Sequence, residues 1–297
     1  MTEPQVSSTA ASSHWLDRTE YPFESRFFDT PAGRMHYVDE GAGDAFVFVH
    51  GVPTWSFLFR TLIRGLRDRY RCIAMDHLGF GLSDKPAGYS YAPMDLAANV
   101  ERLLDSLGVE RPVLVVHDWG GPLALPYAFH HRVRGLVLFN TWMWPADDDR
   151  RAKFLADVLA SRLYDRLDDR YNASVRFIPR VMGSRRHATP AVMRHYVAPL
   201  ATPEDRRGVT ALLHAVKTAA PWLAVQWQQA ELLRGLPALV CWGMRDIAFS
   251  HRDLARWTSL LDRAQVHRYE RVGHFPPEEA GADLCATLAA FARTLER

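Results

Sequence analysis

Cysteine is scarce in this chain: Cys72, Cys241 and Cys285 stand far apart, odd in number and in no CxxC or zinc-ligand spacing. Such a set excludes a disulfide framework and a structural metal, and a reducing cytoplasm is the simplest setting for it. A charge of one sign is equally missing. The 36 Lys and Arg nearly balance the 34 Asp and Glu, leaving a net charge of +2, and the basic residues are scattered rather than gathered in a stripe. That excludes the electrostatic footprint of a nucleic-acid partner. No apolar run approaches the roughly 20 residues that span a bilayer, so no membrane partner is expected. The first twenty residues are rich in Ser and Thr and contain no apolar h-region, so residues 1–20 are expected to be a flexible or draped tail rather than a signal peptide. Internal repeats and low-complexity linkers are absent as well.

What the chain does have is apolar material for one large core. Its 297 residues are 48% hydrophobic and 24% charged, more than a single small domain needs, and one domain with an insertion fits best. Ser25 to Phe28 and Met35 to Asp39, flanking Pro31-Ala32-Gly33, read as an opening antiparallel pair. Short continuous apolar runs follow at Phe46 to Val49, Cys72 to Met75, Val113 to Val116, Leu136 to Phe139 and Leu239 to Trp242. Parallel strands covered on both faces take this form. Helix-period segments lie between several of them. The clearest, Met94 to Leu107, places Leu96, Val100, Leu103, Leu104 and Leu107 on one side and stops at Gly108. The alternation predicts an α/β fold with a mostly parallel central sheet flanked by helices. From Pro145 to Leu236 the strand runs cease and the composition turns charged and helical, punctuated by Pro190, Pro199 and Pro203. Residues 145–236 are therefore expected to form a helical cap inserted between core segments 21–144 and 237–297. Pro277 to Leu295 is expected to be the closing helix.

Four motifs carry chemistry. Val115-Val116-His117-Asp118-Trp119-Gly120-Gly121 follows one apolar strand and precedes a helical segment. In an α/β-hydrolase the nucleophile sits on such a strained strand-to-helix turn, flanked by small residues, and here that position holds Asp118. His50-Gly51-Val52-Pro53-Thr54-Trp55-Ser56 follows another strand. The loop at that place supplies one backbone N–H of an oxyanion hole and the residue after the nucleophile supplies the other, which makes Val52 and Trp119 the expected donors. Trp242-Gly243-Met244-Arg245-Asp246 and Val272-Gly273-His274-Phe275 each follow a strand, the second taken as another apolar one. Nucleophile, acid and histidine thus occur in the chain order of this fold, with Asp246 expected to orient His274. Taken singly, each has an ordinary explanation as a helix cap, a surface acid or a core histidine. Three in the right order after three strand ends do not.

These motifs, with His50 to Arg60 and Asp76 to Pro86, resemble the haloalkane dehalogenase family over the core from Tyr21 onward, and weakly in the cap. The resemblance implies Asp118 as nucleophile, Asp246 as acid, His274 as base and Trp119 as a halide-stabilising donor. It also implies a small apolar halogenated substrate, water as cosubstrate, a halide product, no cofactor or metal, and a monomer or small homo-oligomer. The chain resembles the subgroup with its acid after the Leu239 to Trp242 strand; the other subgroup has an acid where Asn140 stands. It departs from the family where an Asn follows His-Gly, because Val52 occupies that place, and no Trp lies between Trp144 and Trp222. The second halide donor is left open among Asn140, Trp142, Trp144, Trp222 and Trp227, or is absent.

A carboxylate nucleophile displaces a leaving group at an sp³ carbon and leaves an ester that water can open, whereas a serine would leave an inert ether. An epoxide hydrolase shares that first step but needs acids for the opening oxygen, typically two cap tyrosines, and Tyr164, Tyr171 and Tyr196 lie in the cap. A hydrolase-fold binding protein without turnover is the remaining alternative, and the complete set of Asp118, Asp246 and His274 argues against it.

Overall fold

In the computed structural model, which describes residues 14–146, 149–183 and 186–295, the apolar runs become strands of one eight-stranded sheet. The strands are β1 (Arg26–Thr30), β2 (Gly33–Glu40), β3 (Ala45–Val49), β4 (Arg71–Met75), β5 (Val113–Asp118), β6 (Gly135–Thr141), β7 (Ala238–Gly243) and β8 (Ala264–Tyr269). They lie in the order β1-β2-β4-β3-β5-β6-β7-β8. Only the opening hairpin is antiparallel, with β1 on β2 and β2 on β4; every other pair is parallel. Every residue of β3, β5, β6 and β7 is buried, which is why those strands read as unbroken apolar runs.

Helices α1 (Arg60–Leu66), α2 (Pro93–Ser106), α3 (Gly120–Ala124), α4 (Tyr127–His130), α11 (His251–Leu260), α12 (Pro276–Glu279) and α13 (Gly281–Leu295) belong to the core. In α2, Pro93 opens the first turn, where its missing N–H loses nothing, and Leu96, Val100, Leu103 and Leu104 are buried. The chain turns off at Gly108 with φ +58, a conformation that suits glycine. Two expectations need correction. The strand before His274 is not an apolar run: β8 is an edge strand whose residues are half-buried or exposed, because solvent covers its outer side. The closing helix is broken at Ala280, so that α12 stays beside the His274 turn while α13 packs along α1 with Gly281 against Thr61.

The expected helical insertion lies between β6 and β7 and contains α5 (Arg150–Leu159), α6 (Arg162–Tyr171), α7 (Ala173–Met182), α8 (Pro190–Val197), α9 (Arg207–Thr218) and α10 (Ala220–Gln229). Its interior is pinned by a buried ion pair, Arg206 Nε to Asp168 Oδ2 at 2.9 Å. The remaining Arg206 nitrogens donate to the carbonyls of Asp168, Asp169, Leu200 and Ala201, so the guanidinium is buried without an orphan donor. The insertion is bound to the core by a second buried cluster. Arg60 of α1 grips Glu278 with two 2.7 Å bonds, and the Tyr196 hydroxyl of α8 donates to Glu278 Oε2 at 2.8 Å. Nearby, the Trp55 indole N–H donates to the His195 carbonyl at 2.9 Å.

Residues 1–13 of the expected tail lie outside the described residues. From Trp15 the chain is docked, not loose. Trp15 stands edge-on to Trp55 at 5.9 Å, and the Asp17 N–H donates to His195 Nε2 at 3.0 Å. The half-buried indole removes apolar surface from water and so contributes to holding the segment in place.

Replacing Glu278 by Gln leaves Arg60 nearly buried without its main counter-charge, with only Glu20 at 3.4 Å to assist. Stability measured by urea unfolding should fall by about 3 kcal/mol.

Candidate active site

The end of β5 is bent into a sharp turn. Asp118 has φ +51, a left-handed conformation uncommon for a residue with a side chain, and pairing with β6 is irregular between His117 and Asp118. Two glycines permit this turn to sit where it does. A Cβ at Gly120 would collide with the Val49 carbonyl, and one at Gly51 would collide with the Asp118 carboxylate and the Trp119 amide. From the neighbouring strand, the Thr141 hydroxyl donates to the Asp118 carbonyl at 2.6 Å.

The loops after β3 and β5 converge on one carboxylate. The Val52 N–H donates to Asp118 Oδ1 at 2.8 Å, and the Trp119 backbone N–H also bonds the carboxylate. Both expected oxyanion donors therefore reach the same group. Asp118 Oδ2 faces His274 Nε2 at 3.7 Å, too long for a hydrogen bond. On the other side of the ring, His274 Nδ1 donates to Asp246 Oδ2 at 2.8 Å. Asp246 is itself held by the Asn140 amide at 2.8 Å and the Ala248 N–H at 2.7 Å. The main chain of His274 is fixed at both ends: its N–H donates to Met182 O of α7 at 2.8 Å, and its carbonyl accepts from His117 Nε2 at 2.7 Å.

Burial governs the charges here. It pushes the Asp118 carboxyl up to about 6, against the pull of His274 and of the two backbone N–H donors. Burial also opposes protonation of His274, but the Asp246 charge and hydrogen bond prevail and raise its pKa above the ordinary value. His117 is held well below the histidine range by burial and by its neighbour His274, so it stays a neutral donor to the His274 carbonyl.

A cavity of about 360 Å³ opens over this group, with Asp118 and His274 among otherwise mostly apolar lining from the core and from α5 to α7. Trp119, Trp142 and Trp144 line it, whereas Trp222 and Trp227 do not. Trp142 meets Trp119 edge-on, 4.8 Å between ring centres. Trp144 is packed against Trp227 and Trp257 under the Arg256 guanidinium. Asn140 is corrected as an open halide donor: its amide nitrogen donates to Asp246 Oδ2 and the Gly243 carbonyl, and its oxygen accepts from the Gly243 N–H. Its place at the end of β6 was legible, but its service to Asp246 was not, because that contact joins residues brought together only by the β6 and β7 pairing.

Among the described residues, neither Asp253 nor the cap tyrosines bond Asp118 or His274. Asp253 borders the cavity but is bound into the Ser250 cap of α11, and Asp246 alone of the two bonds His274. Tyr164 lines the cavity with its hydroxyl paired to Ser174; Tyr171 is 52% exposed, and Tyr196 is engaged by Glu278. Two tyrosines do not converge on Asp118. Among the described residues, the grouping with metal-ligand geometry is Glu101, Asp105 and His131, none of which lines the cavity.

The chain matches the α/β-hydrolase-fold family over residues 44–280. It is 39% identical over 273 residues to haloalkane dehalogenase 2 of Mycobacterium tuberculosis, covering 90% of this chain and 94% of that protein. It is 32% identical over 284 residues to a cis-3-alkyl-4-alkyloxetan-2-one decarboxylase of Shewanella oneidensis, covering 92% of this chain and 89% of that one. The crystal structure of a haloalkane dehalogenase loop variant from Bradyrhizobium elkanii superposes with a TM-score of 0.82 at 23% identity, over 92% of this chain and 97% of its own, a likeness of fold.

Since Asp246 supplies most of what raises His274, the imidazole should titrate above 6.5 in the intact protein and below it in Asp246→Asn. Side-chain NMR of the His274 ring across pH measures both midpoints.

Proposed function

Because the chain belongs to the haloalkane dehalogenase family of the α/β-hydrolase fold, we propose that it hydrolyses carbon–halogen bonds through a covalent ester on Asp118. The observation that carries this reading is the arrangement around one carboxylate: Oδ1 is held by the Val52 N–H, and Oδ2 faces His274 Nε2 at 3.7 Å beneath an apolar cavity. In the first step Oδ2 attacks the carbon in line, the new C–O bond forms as the carbon–halogen bond breaks, and the halide departs with the bonding pair. Asp246 and His274 then serve the second step. Water attacks the ester carbon of Asp118 while His274 Nε2 takes its proton, and the Val52 and Trp119 amides hold the oxyanion. Collapse releases the alcohol, restores the carboxylate and sends one proton to solvent. Asp246 stabilises the transient imidazolium.

The halide leaves into a dry pocket and needs donors there. Trp119 offers an indole N–H beside the nucleophile, and Trp142, edge-on to it in the same lining, is our assignment for the second donor. Trp144 is engaged by other aromatic rings, which leaves Trp142 the better placed of the two.

A second reading rests on Val52, which presents an apolar side chain where relatives carry a halide donor. The Shewanella relative decarboxylates oxetanones. With the same nucleophile, attack of Oδ2 on the ring sp³ carbon breaks the ring C–O bond and leaves a carboxylate on the bound fragment. Loss of CO₂ then forms the alkene and expels the Asp118 carboxylate, with no separate anion to hold.

In His274→Gln the first step should proceed and the second stall. Intact-protein mass after exposure to a bromoalkane should rise by one alkyl group, located on Asp118 after digestion, and an unmodified protein would falsify the ester scheme. The alkylation rate should fall as pH drops through a value at or above about 6, since protonated Asp118 cannot attack and the variant loses the lowering pull of His274.

Halide release from bromoalkanes, and alkene and CO₂ release from a cis-dialkyl oxetanone, separate the two readings when measured side by side. Under the first, Trp142→Phe deletes a charged-partner hydrogen bond of about 1.5 to 3 kcal/mol and lowers bromoalkane turnover by roughly one to two orders of magnitude. Alkene release without halide release favours the second.

A further inference from the structure

The outer face of the insertion carries a pattern that extends well beyond the cavity over Asp118. Of the eleven exposed large hydrophobic residues among those described, seven sit on α5, α6 and α7. They fall at helical spacing, Phe154 with Val158, Leu163 with Leu167 and Tyr171, and Phe177 with Val181, so each helix turns an apolar strip toward solvent. A basic residue directly precedes most of them: Lys153-Phe154, Arg162-Leu163, Arg166-Leu167, Arg170-Tyr171, Arg176-Phe177 and Arg180-Val181. Each of these basic side chains is exposed. The acids of the same helices are engaged elsewhere, Asp157 by Lys217, Asp165 by His214 and Asp168 by Arg206; Asp169 is the exposed exception. Among the described residues none of these five arginines forms an ion pair with a carboxylate.

The face is therefore apolar and positively charged together. A second copy of this chain would set like charges against each other across a two-fold contact. An anionic lipid surface satisfies both features, since apolar side chains enter the acyl boundary while arginines on long stems reach the phosphates. Phe177 and Val181 connect this face to the cavity, because they line it and are 54% and 63% exposed. No single described helix is long and apolar enough to cross a membrane, and the contact argued for is a peripheral one. We infer that α5 to α7 dock the protein on an anionic membrane surface with the mouth of the cavity toward the lipid, where apolar substrates concentrate. The absence of a spanning run, from which no membrane partner was expected, has no bearing on a peripheral face.

Vesicle flotation with the full chain tests this without reference to turnover. The protein should float with vesicles of phosphatidylglycerol and phosphatidylcholine, less as salt rises, and should stay behind with phosphatidylcholine alone. Leu163→Ser with Leu167→Ser, neither of which lines the cavity, should weaken binding roughly tenfold or more with circular dichroism unchanged. Arg162→Gln, Arg166→Gln and Arg170→Gln together should weaken it about a hundredfold, at about fivefold for each charge. Failure of the unaltered protein to float with the anionic vesicles overturns the proposal, as does equal binding by the variants. So does a concentration-dependent dimer in light scattering, abolished by the leucine substitutions and unaccompanied by flotation, because it assigns the face to a second copy.

Discussion

A carboxylate kept in an apolar cavity is the constraint to which the rest of the structure answers. Taking such a group out of water costs several kcal/mol, and left alone it would hold its proton. Asp118 escapes that outcome in part, because two backbone N–H groups and the nearby His274 pull against burial and bring its pKa to about 6. A water-filled site would ionise the group fully but would also solvate its oxygen and blunt it toward carbon. Partial compensation is the physical condition that the proposed role of Asp118 as a nucleophile requires.

Meeting that condition requires atoms from five places in the chain. Val52 follows β3, Asp118 ends β5, Asn140 and Thr141 end β6, Asp246 follows β7 and His274 follows β8. These are successive positions along one side of the sheet, and all lie at the carboxyl ends of parallel strands, where an open α/β sheet gathers its loops. The sheet sets separations, and close contacts do the fine positioning. Glycine at 51 and 120 lets two loops touch the turn at Asp118, and the paired amide of Asn140 locks Asp246 to the backbone of β7 before Asp246 orients the histidine.

The insertion is part of the site as much as a cover for it. Met182 at the end of α7 accepts from the main chain of His274, and Tyr196 of α8 shares Glu278 with Arg60 four residues beyond that histidine. Any opening of the insertion thus acts on the segment that carries His274. The apolar walls from α5 to α7 give the cavity its low polarity, and their outward sides carry the arginine and hydrophobic pairs. One set of helices meets two solvents.

By itself the sequence determined the strand and helix alternation, and it singled out Asp118, Asp246 and His274 as the candidate site residues. Those depend on short-range signals: unbroken apolar runs for strands covered on both faces, and Gly or Asp at turns whose backbone excludes most other residues. Only the tertiary structure shows that Asp246 bonds the histidine while Asp253 is held by the Ser250 cap of α11. The same is true of Asn140, whose amide is occupied by a strand about a hundred residues later, and of β8, whose mixed composition records an edge that only the strand order defines. It is true above all of the tryptophans. Trp142, Trp144, Trp222 and Trp227 are chemically identical donors, and which of them face the cavity is set by packing between segments distant in the chain, a property that no local pattern encodes.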